Sequence, residues 1–306
     1  MKVLVTGGAG FIGSHLVDKL VELGHSVLVL DNLSNGKKEN INPKAEFHQV
    51  DICDFEIMCL YFKDIDYVFH LAALPRIPFS IQNPIGTSNV NIMGTINVFE
   101  AAKQNKVKRV ISTSSSSVYG NQDKLPLKED MALNPISPYG LQKWVGEQFA
   151  KLYTEIYNLP VVSIRPFNVY GPRLDVESDY SLALGRFLKL KSLNKPLTIN
   201  GDGEQTRGYC YVEDLVEAFI LAMQSQKVKG GEVINAGSNK AYSINFLADL
   251  IGGEKVYGPE RQGDIRHTQA DVSLAKELLD WEPKMDFTEG VKKTIEWFNE
   301  QTKNEK

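Results

Sequence analysis

Residues 2–31, KVLVTGGAGFIGSHLVDKLVELGHSVLVLD, decide the fold. Val3, Leu4 and Val5 form a short apolar run without polar alternation, the pattern of a strand buried on both faces. Thr6-Gly-Gly-Ala-Gly follows, then an amphipathic run from Phe11 to Leu23, then Gly24-His25 and a second apolar run from Val27 to Leu30. The spacing predicts strand, glycine loop, helix, strand, which is one βαβ unit. Gly8, Gly10 and Gly13 fit G-x-G-x-x-G, and Gly7, Gly10 and Gly13 fit a wider G-x-x-G-x-x-G. Glycine suits these positions because backbone N–H groups must approach a pyrophosphate at a helix N-terminus, where the dipole favours an anion. Asp31 closes the second run at about the 20-residue distance typical of the ribose-binding carboxylate. A carboxylate there accepts hydrogen bonds from an adenosine ribose and repels a 2′-phosphate, so the expected cofactor is NAD rather than NADP.

The remaining 276 residues fix the class. A chain of 306 residues can bury a large core, and 42% hydrophobic with 24% charged residues is a globular composition. A formal net charge of −4 gives no electrostatic footprint for nucleic acid or an anionic membrane. No apolar run reaches the roughly 18 residues of a membrane span, and MKVLVTGG opens directly on a strand, so no targeting segment is expected. Cys53, Cys59 and Cys210 are odd in number and lack metal-site spacing, so no metal is expected and the simplest compartment is a reducing, cytoplasmic one.

Along the chain, Asn32 to Pro43 is a polar loop at the strand end carrying Asp31; Asn32, Ser34 and Asn35 suit either the adenosine side of a cofactor or a solvated turn. Phe47 to Val50 reads as a third strand, and Asp51 suits either an adenine contact or the cap of a helix from about Phe55. Asp66 to Leu71 is a fourth strand, with Ala72 and Ala73 small enough to let a cofactor approach. Helical periodicity runs from about Pro84 to Lys106, a fifth strand spans Arg109 to Thr113, a helix spans Tyr139 to about Tyr157, and a sixth strand spans Pro160 to Arg165. This alternation predicts a doubly wound parallel sheet with ligands beyond the carboxyl ends of its strands. The second half lacks the alternation: helices are expected near 182–193, 213–224 and 243–251, a strand at 232–235, and a final helix whose Phe287, Val291, Ile295 and Phe298 make one apolar stripe. The expected architecture is α/β: a Rossmann-type dinucleotide-binding part over residues 1–165, to which some later segments return, and a smaller mixed α/β cap over 166–306.

Two further features carry chemistry. Tyr139 and Lys143 lie four residues apart on one helix face, and a nearby ammonium stabilises a phenolate. Between the glycine loop and this pair, Ser114-Ser-Ser-Ser-Val-Tyr-Gly closes the fifth strand. TGGAGFIG, Ser115, the Tyr139/Lys143 pair and FNVYGPR together resemble the extended short-chain dehydrogenase/reductase family, specifically its nucleotide-sugar epimerases and dehydratases, over essentially the whole chain. The resemblance implies Tyr139 as general base, Lys143 on the nicotinamide ribose, and Ser115, counted back from Val118-Tyr119-Gly120, on the reacting hydroxyl. It further implies NAD contacts from Gly7, Gly10, Phe11, Ile12, Gly13, Asp31, Asn32, Ser34, Asn35, Gly36, Asp51, Ile52, Leu71, Ala72, Ala73, Asn89, Thr113, Tyr139, Lys143 and Pro166.

The same resemblance sorts the chemistry. Dehydratases of the family carry Asp-Glu where this chain has Ser116-Ser117, and hydroxyls cannot supply that acid–base work at neutral pH. What is left needs one base and a hydride acceptor: 4-epimerisation of a UDP-hexose through a 4-keto sugar, with a UDP-glucuronate 4-epimerase or another nucleotide-sugar epimerase as the rival reading and a non-catalytic NAD sensor as the remote one. Ser115, Ser116, Ser117 and Tyr139 are expected at the sugar, and Asn168, Arg207, Arg261 and Asp264 at the nucleotide end, where arginine suits a diphosphate. Thr268 falls where the family places a size gate, so a small side chain there implies tolerance of UDP-GlcNAc and UDP-GalNAc beside UDP-Glc and UDP-Gal. Gly208 stands where the family usually has Asp, and Pro75 where some members carry a cofactor-facing lysine. A homodimer built on the helices near 84–106 and 139–157 is the expected assembly.

Overall fold

The structure is a computed structural model that describes residues 1–176, 182–260 and 265–304. Its strands are β1 (Lys2–Thr6), β2 (Ser26–Asp31), β3 (Glu46–Gln49), β4 (Tyr67–His70), β5 (Arg109–Thr113), β6 (Val161–Pro166), β7 (Val169–Tyr170), β8 (Leu197–Asn200), β9 (Thr206–Gly208), β10 (Cys210–Tyr211), β11 (Val233–Ala236), β12 (Ala241–Ser243), β13 (Lys255–Gly258) and β14 (His267–Thr268). The helices are α1 (Phe11–Glu22), α2 (Phe55–Cys59), α3 (Ile77–Gln82), α4 (Pro84–Ser88), α5 (Thr95–Gln104), α6 (Pro138–Tyr157), α7 (Ala183–Ser192), α8 (Val212–Gln224), α9 (Ile244–Ile251), α10 (Ser273–Leu279) and α11 (Phe287–Asn304).

Seven strands form one parallel sheet in the order β11-β6-β5-β4-β1-β2-β3. Both faces are covered, which is why the strands read as unbroken apolar runs. Val3, Val5, Val27, Val29, Phe69 and Ile111 face a core closed by α1, α8 and α10. Leu4, Leu28, Leu30, Val68 and Val110 face the opposite core under α2, α5 and α6. The chain leaves β1 for β2 and β3 on one side and returns to β4 on the other, so the strand order reverses between β1 and β4. A crevice opens at such a point, at the carboxyl ends of the strands.

Later segments do return to this body. β11 is its seventh strand, and residues from Cys210 to Met223 and from Ala270 to Trp281 join the first core. The cap proper packs a third core around Phe187, Leu197, Leu247, Tyr209 and Phe287. The apolar stripe of α11 docks there as expected, with Phe287, Val291 and Phe298 buried and Ile295 partly so.

The run expected as one helix from 84 to 106 is broken. Between α4 and α5, residues Asn89–Gly94 form a π-turn. Thr95 Oγ1 donates to the Asn91 carbonyl at 2.8 Å, and the buried Asn91 side chain leaves the helix to clamp the backbone of Leu74. Such bulges recur at functional sites.

Candidate active site

The glycine loop is shaped by contacts that exclude a side chain. Gly7 holds φ +73, and a Cβ there would lie 2.6 Å from the Ala72 nitrogen; one on Gly13 would lie 2.1 Å from the Gly7 carbonyl oxygen. α1 starts at once, with Gly10 as its N-cap, no side-chain cap and no acidic residue in its first turn. Orphan amides and the positive dipole end therefore face the crevice without a competing anion. Asp31, 8% exposed, accepts from the Ala9 amide at 3.0 Å and the Leu33 amide at 2.8 Å, while burial raises its pKa. The carboxylate thus braces the loop as well as ending β2. Gly36 packs against it, since a Cβ there would lie 3.0 Å from both carboxylate oxygens.

The neighbouring polar residues divide. Asn32 Nδ2 donates to Asp51 Oδ2 at 2.9 Å, and Asp51 Oδ1 accepts from the Cys53 amide at 2.8 Å. Asp51 therefore does not cap α2; that cap is Asp54, whose Oδ1 accepts from the Ile57 amide. Ser34 and Asn35 are exposed, Ile52 is buried in the core, and Phe11 and Ile12 sit half-buried at the start of α1. Leu71, Ala72 and Ala73 line the end of β4, half-buried. Asn89 is exposed, and the buried asparagine of that turn is Asn91.

Across the crevice, α6 carries Tyr139 and Lys143. Ser137 accepts from the Gly140 amide at 3.1 Å as N-cap, and Pro138 occupies the first turn. Gly140 is required because a Cβ would lie 2.6 Å from the Ser117 carbonyl oxygen, so the helix can seat on the serine turn. Ser115 Oγ accepts from both the Ser117 amide, at 3.2 Å, and Ser117 Oγ, at 2.8 Å, which leaves its own hydrogen for Tyr139. Burial pushes the Tyr139 phenol up to about 12, while the Ser115 hydroxyl and the Arg76 guanidinium pull it back down. Arg76 is a cation acting on the phenol that the sequence reading did not name. Arg76 pairs with Asp175 at 2.6 Å, joining the segment after β4 to the segment after β7.

Lys143 donates to the Thr113 carbonyl at 2.7 Å. Burial lowers its pKa to about 8, and the Glu147 carboxylate opposes that fall. Glu147, one turn further along α6, is held bidentately by Arg165 at 2.7 Å and 2.7 Å and accepts from Ser114 Oγ at 2.5 Å. Beside Lys143, Thr113 Oγ1 is buried with no partner among the described residues. Uncapped helix amides, a glycine cradle with no room for side chains and an orphan hydroxyl next to the ammonium fit a bound dinucleotide. The residues that would hold it are Gly7, Gly10, Gly13, Asp31, Thr113 and Lys143, with Pro166 half-buried at the end of β6.

On the cap side, Asn168 holds φ +35 after β6, and its Nδ2 donates to the Gly208 carbonyl at 2.9 Å and to Thr268 Oγ1 at 3.2 Å. Thr268, on β14, is buried. Arg207 on β9 donates to the carbonyls of Thr206 and Arg266 at 3.0 and 3.1 Å. A Cβ on Gly208 would meet the Ser238 and Thr268 carbonyls and the Gln269 Cα at 3.1–3.3 Å, so an aspartate there would need this backbone to give by a few tenths of an ångström. Pro75 is exposed. Arg261 and Asp264 lie outside the described residues. Sequence reasoning missed Arg76, Asn91 and Glu147; only Glu147 left a signal, the third member of a Tyr139, Lys143, Glu147 series at helical spacing.

Comparisons with known proteins agree with this geometry. Residues 3–237 match the NAD-dependent epimerase/dehydratase family. The chain is 40% identical to a putative UDP-glucose 4-epimerase of Methanocaldococcus jannaschii, over 96% of this chain and 97% of that one. It superposes on the crystal structure of a Thermotoga maritima UDP-glucose 4-epimerase with UDP-glucose at a TM-score of 0.94, with 39% identity over 99% and 100% of the two chains. Against a UDP-N-acetylglucosamine 4-epimerase from Methanobrevibacter ruminantium, in complex with UDP-N-acetylmuramic acid, the TM-score is 0.93 with 39% identity over 98% of each. With residues 3–237 matched by the family and a 40% identical relative covering 96% of its length, the chain belongs to the NAD-dependent epimerase/dehydratase family.

Proposed function

We propose that the protein is a UDP-sugar 4-epimerase that inverts C4 of a UDP-hexose through a transient 4-keto sugar. The observation that carries this is a single base with no acid pair behind it: Tyr139, joined to Ser115, faces a serine turn in which Ser116 and Ser117 replace the Asp-Glu of the family's dehydratases. Ser115 orients the 4-hydroxyl, and Tyr139 takes its proton and later returns it. A phenol raised to about 12 is a poor base alone; Arg76, the Lys143 ammonium and the charge of the oxidised nicotinamide all favour phenolate. Bound NAD supplies the hydride acceptor and donor. Because oxidation and reduction cancel within one turnover, the site has reason to keep its cofactor, and the tight cradle around Gly7 and Gly13 serves that end.

Asn168 and Arg207, with Arg261 and Asp264, are assigned to the nucleotide end and Thr268 to the sugar's size gate. The small buried side chain of Thr268 supports UDP-GlcNAc and UDP-GalNAc as substrates beside UDP-Glc and UDP-Gal. We further assign a homodimer, supported by the apolar surface that α4, the π-turn and α6 expose. Its compartment is assigned as reducing and cytoplasmic, supported by three free cysteines; no described helix is long and apolar enough to cross a membrane.

The test incubates the protein as purified with UDP-GlcNAc, UDP-Glc and UDP-GlcA separately and assays each for its 4-epimer. Epimerisation of the first two is expected. Conversion of UDP-GlcA alone would replace this reading with the glucuronate one, and no product from any of them would favour an NAD sensor or an unusual sugar. Tyr139→Phe should lower turnover by 10² or more, the contribution of a positioned base, while calorimetry finds UDP-sugar binding intact. Unchanged turnover would remove Tyr139 from the mechanism.

A further inference from the structure

His70 ends β4 beneath the crevice at 2% exposure, and the mechanism above gives it no task. Its ring meets two hydroxyls: Nδ1 lies 2.8 Å from Thr6 Oγ1, and Nε2 lies 3.0 Å from Thr95 Oγ1. The position of the ring hydrogen follows from the Thr95 end, and the Thr6 end is compatible with it. The Ala72 amide donates to Thr6 Oγ1 at 3.3 Å, so that hydroxyl has its one hydrogen left for Nδ1. Thr95 spends its hydrogen on the Asn91 carbonyl at 2.8 Å, so it can only accept from Nε2. The Thr95 end thus demands the neutral tautomer with hydrogen on Nε2, and the Thr6 hydroxyl is then the donor to the bare Nδ1. Burial, with the Lys143 charge adding to it, lowers the imidazole to about 3, so it stays neutral.

The chain of bonds continues past Thr95. Asn91 Oδ1 accepts from the Leu74 amide at 2.8 Å, and its Nδ2 donates to the Leu74 carbonyl at 3.1 Å and to Gln142 Oε1 at 2.8 Å. The segment after β4 is therefore pinned twice, at Ala72 by Thr6 and at Leu74 by Asn91, and His70 joins the two pins. That segment is the wall against which the glycine loop closes, where a Cβ on Gly7 would lie 2.6 Å from the Ala72 nitrogen. Gln142 carries the connection to the residue beside Lys143 on α6.

We propose that His70 is a positioning residue for the NAD site: a neutral imidazole, hydrogen on Nε2, that ties the floor of the glycine loop to the π-turn and sets the width of the crevice between β1 and β4. It acts through Thr6 and Thr95 and touches no reacting atom. The proposal rests on NAD as cofactor and is independent of which sugar is turned over.

The test uses NAD-loaded protein. His70→Phe keeps a ring and loses both bonds; Thr95→Val leaves the ring and removes one partner. Each should speed the release of NAD on dilution roughly tenfold, the scale of one or two buried hydrogen bonds, with UDP affinity of the loaded protein unchanged. The double variant should release NAD no faster than the quicker single, because both break one chain. Nitrogen-15 NMR of the wild-type protein, which needs no variant to fold, should show Nε2 protonated and Nδ1 not. A ring protonated on Nδ1, unchanged NAD release in Thr95→Val, or additive effects in the double would each overturn the proposal. So would variants that melt earlier yet hold NAD as tightly, since that is the outcome of a purely structural histidine.

Discussion

At the scale of single residues, charge in this site is set by burial first and partners second. His70 makes the point for stability. As the pH falls below about 6.5 the unfolded chain binds a proton at this imidazole, whereas the folded one resists until about 3, so folding loses up to about 1.4 kcal/mol per pH unit across that window. His70→Phe lacks the group, so its deficit against wild type should shrink as the pH is lowered from about 7 to about 5. Urea midpoints of both proteins at the two pH values decide it, and a deficit that stays constant would mean the imidazole is not held neutral. Thr268 makes the point for specificity. Its hydroxyl accepts from Asn168 and its side chain is buried, so a bulkier residue must take space from the pocket or from β9. Thr268→Tyr should suppress epimerisation of UDP-GlcNAc by tenfold or more while sparing UDP-Glc, a difference about the size of one pocket contact. Equal loss on both sugars in a paired assay would remove Thr268 from the gate.

At the scale of elements, the site depends on how closely backbones approach one another. β1 delivers Gly7 against the segment after β4, α1 starts one turn later with Gly13 over the Gly7 carbonyl, and α6 seats Gly140 on the serine turn. Gly13→Ala places a methyl 2.1 Å from that carbonyl oxygen, against backbone that cannot move alone. The loop and the first turn of α1 must part, at a cost of about 1–3 kcal/mol. The variant should melt several degrees earlier and come off the column with less NAD bound, read from the absorbance of NAD released by acid. Retention of a full complement would show that the loop tolerates the shift. The π-turn belongs to this scale too. One extra residue between α4 and α5 frees Asn91 to clamp Leu74, and without it the helix expected from 84 to 106 would run straight and leave Leu74 unheld.

For the whole molecule, the notable surface is apolar. Ile85 is 85% exposed, Ile156 60%, Met93 50% and Leu141 47%, on α4, the π-turn and α6. Large apolar side chains exposed on three elements that pack against one another suit an interface, and the two-fold symmetry usual among homo-oligomers would pair these helices with their own copies. Ile85→Asp combined with Leu141→Asp should convert a dimer into a monomer in sedimentation velocity, with turnover per chain lowered less than by any change at Tyr139. A wild type that sediments as a monomer would end the assignment. Because α6 carries Tyr139 and Lys143 on one side and this surface on the other, an assembled dimer would also stiffen the element that holds the base.

The sequence by itself determined the sheet, the glycine loop and the placing of Tyr139 and Lys143 on one helix. Those depend on local rules: apolar runs for strands buried on both faces, glycine where backbones touch, and a four-residue spacing that puts Tyr139 and Lys143 on one helix face. It left undecided whatever depends on residues far apart in the chain. The Arg76 cation acting on Tyr139, the pairing of Arg165 with Glu147, and the threading of Thr6, His70 and Thr95 into one chain of hydrogen bonds all join segments apart in the chain. Periodicity carries no information about which partner a buried polar group will find. Only the tertiary structure decided that, because an unpaired donor or acceptor in the interior costs more than any local preference, and the fold settles where each finds its match.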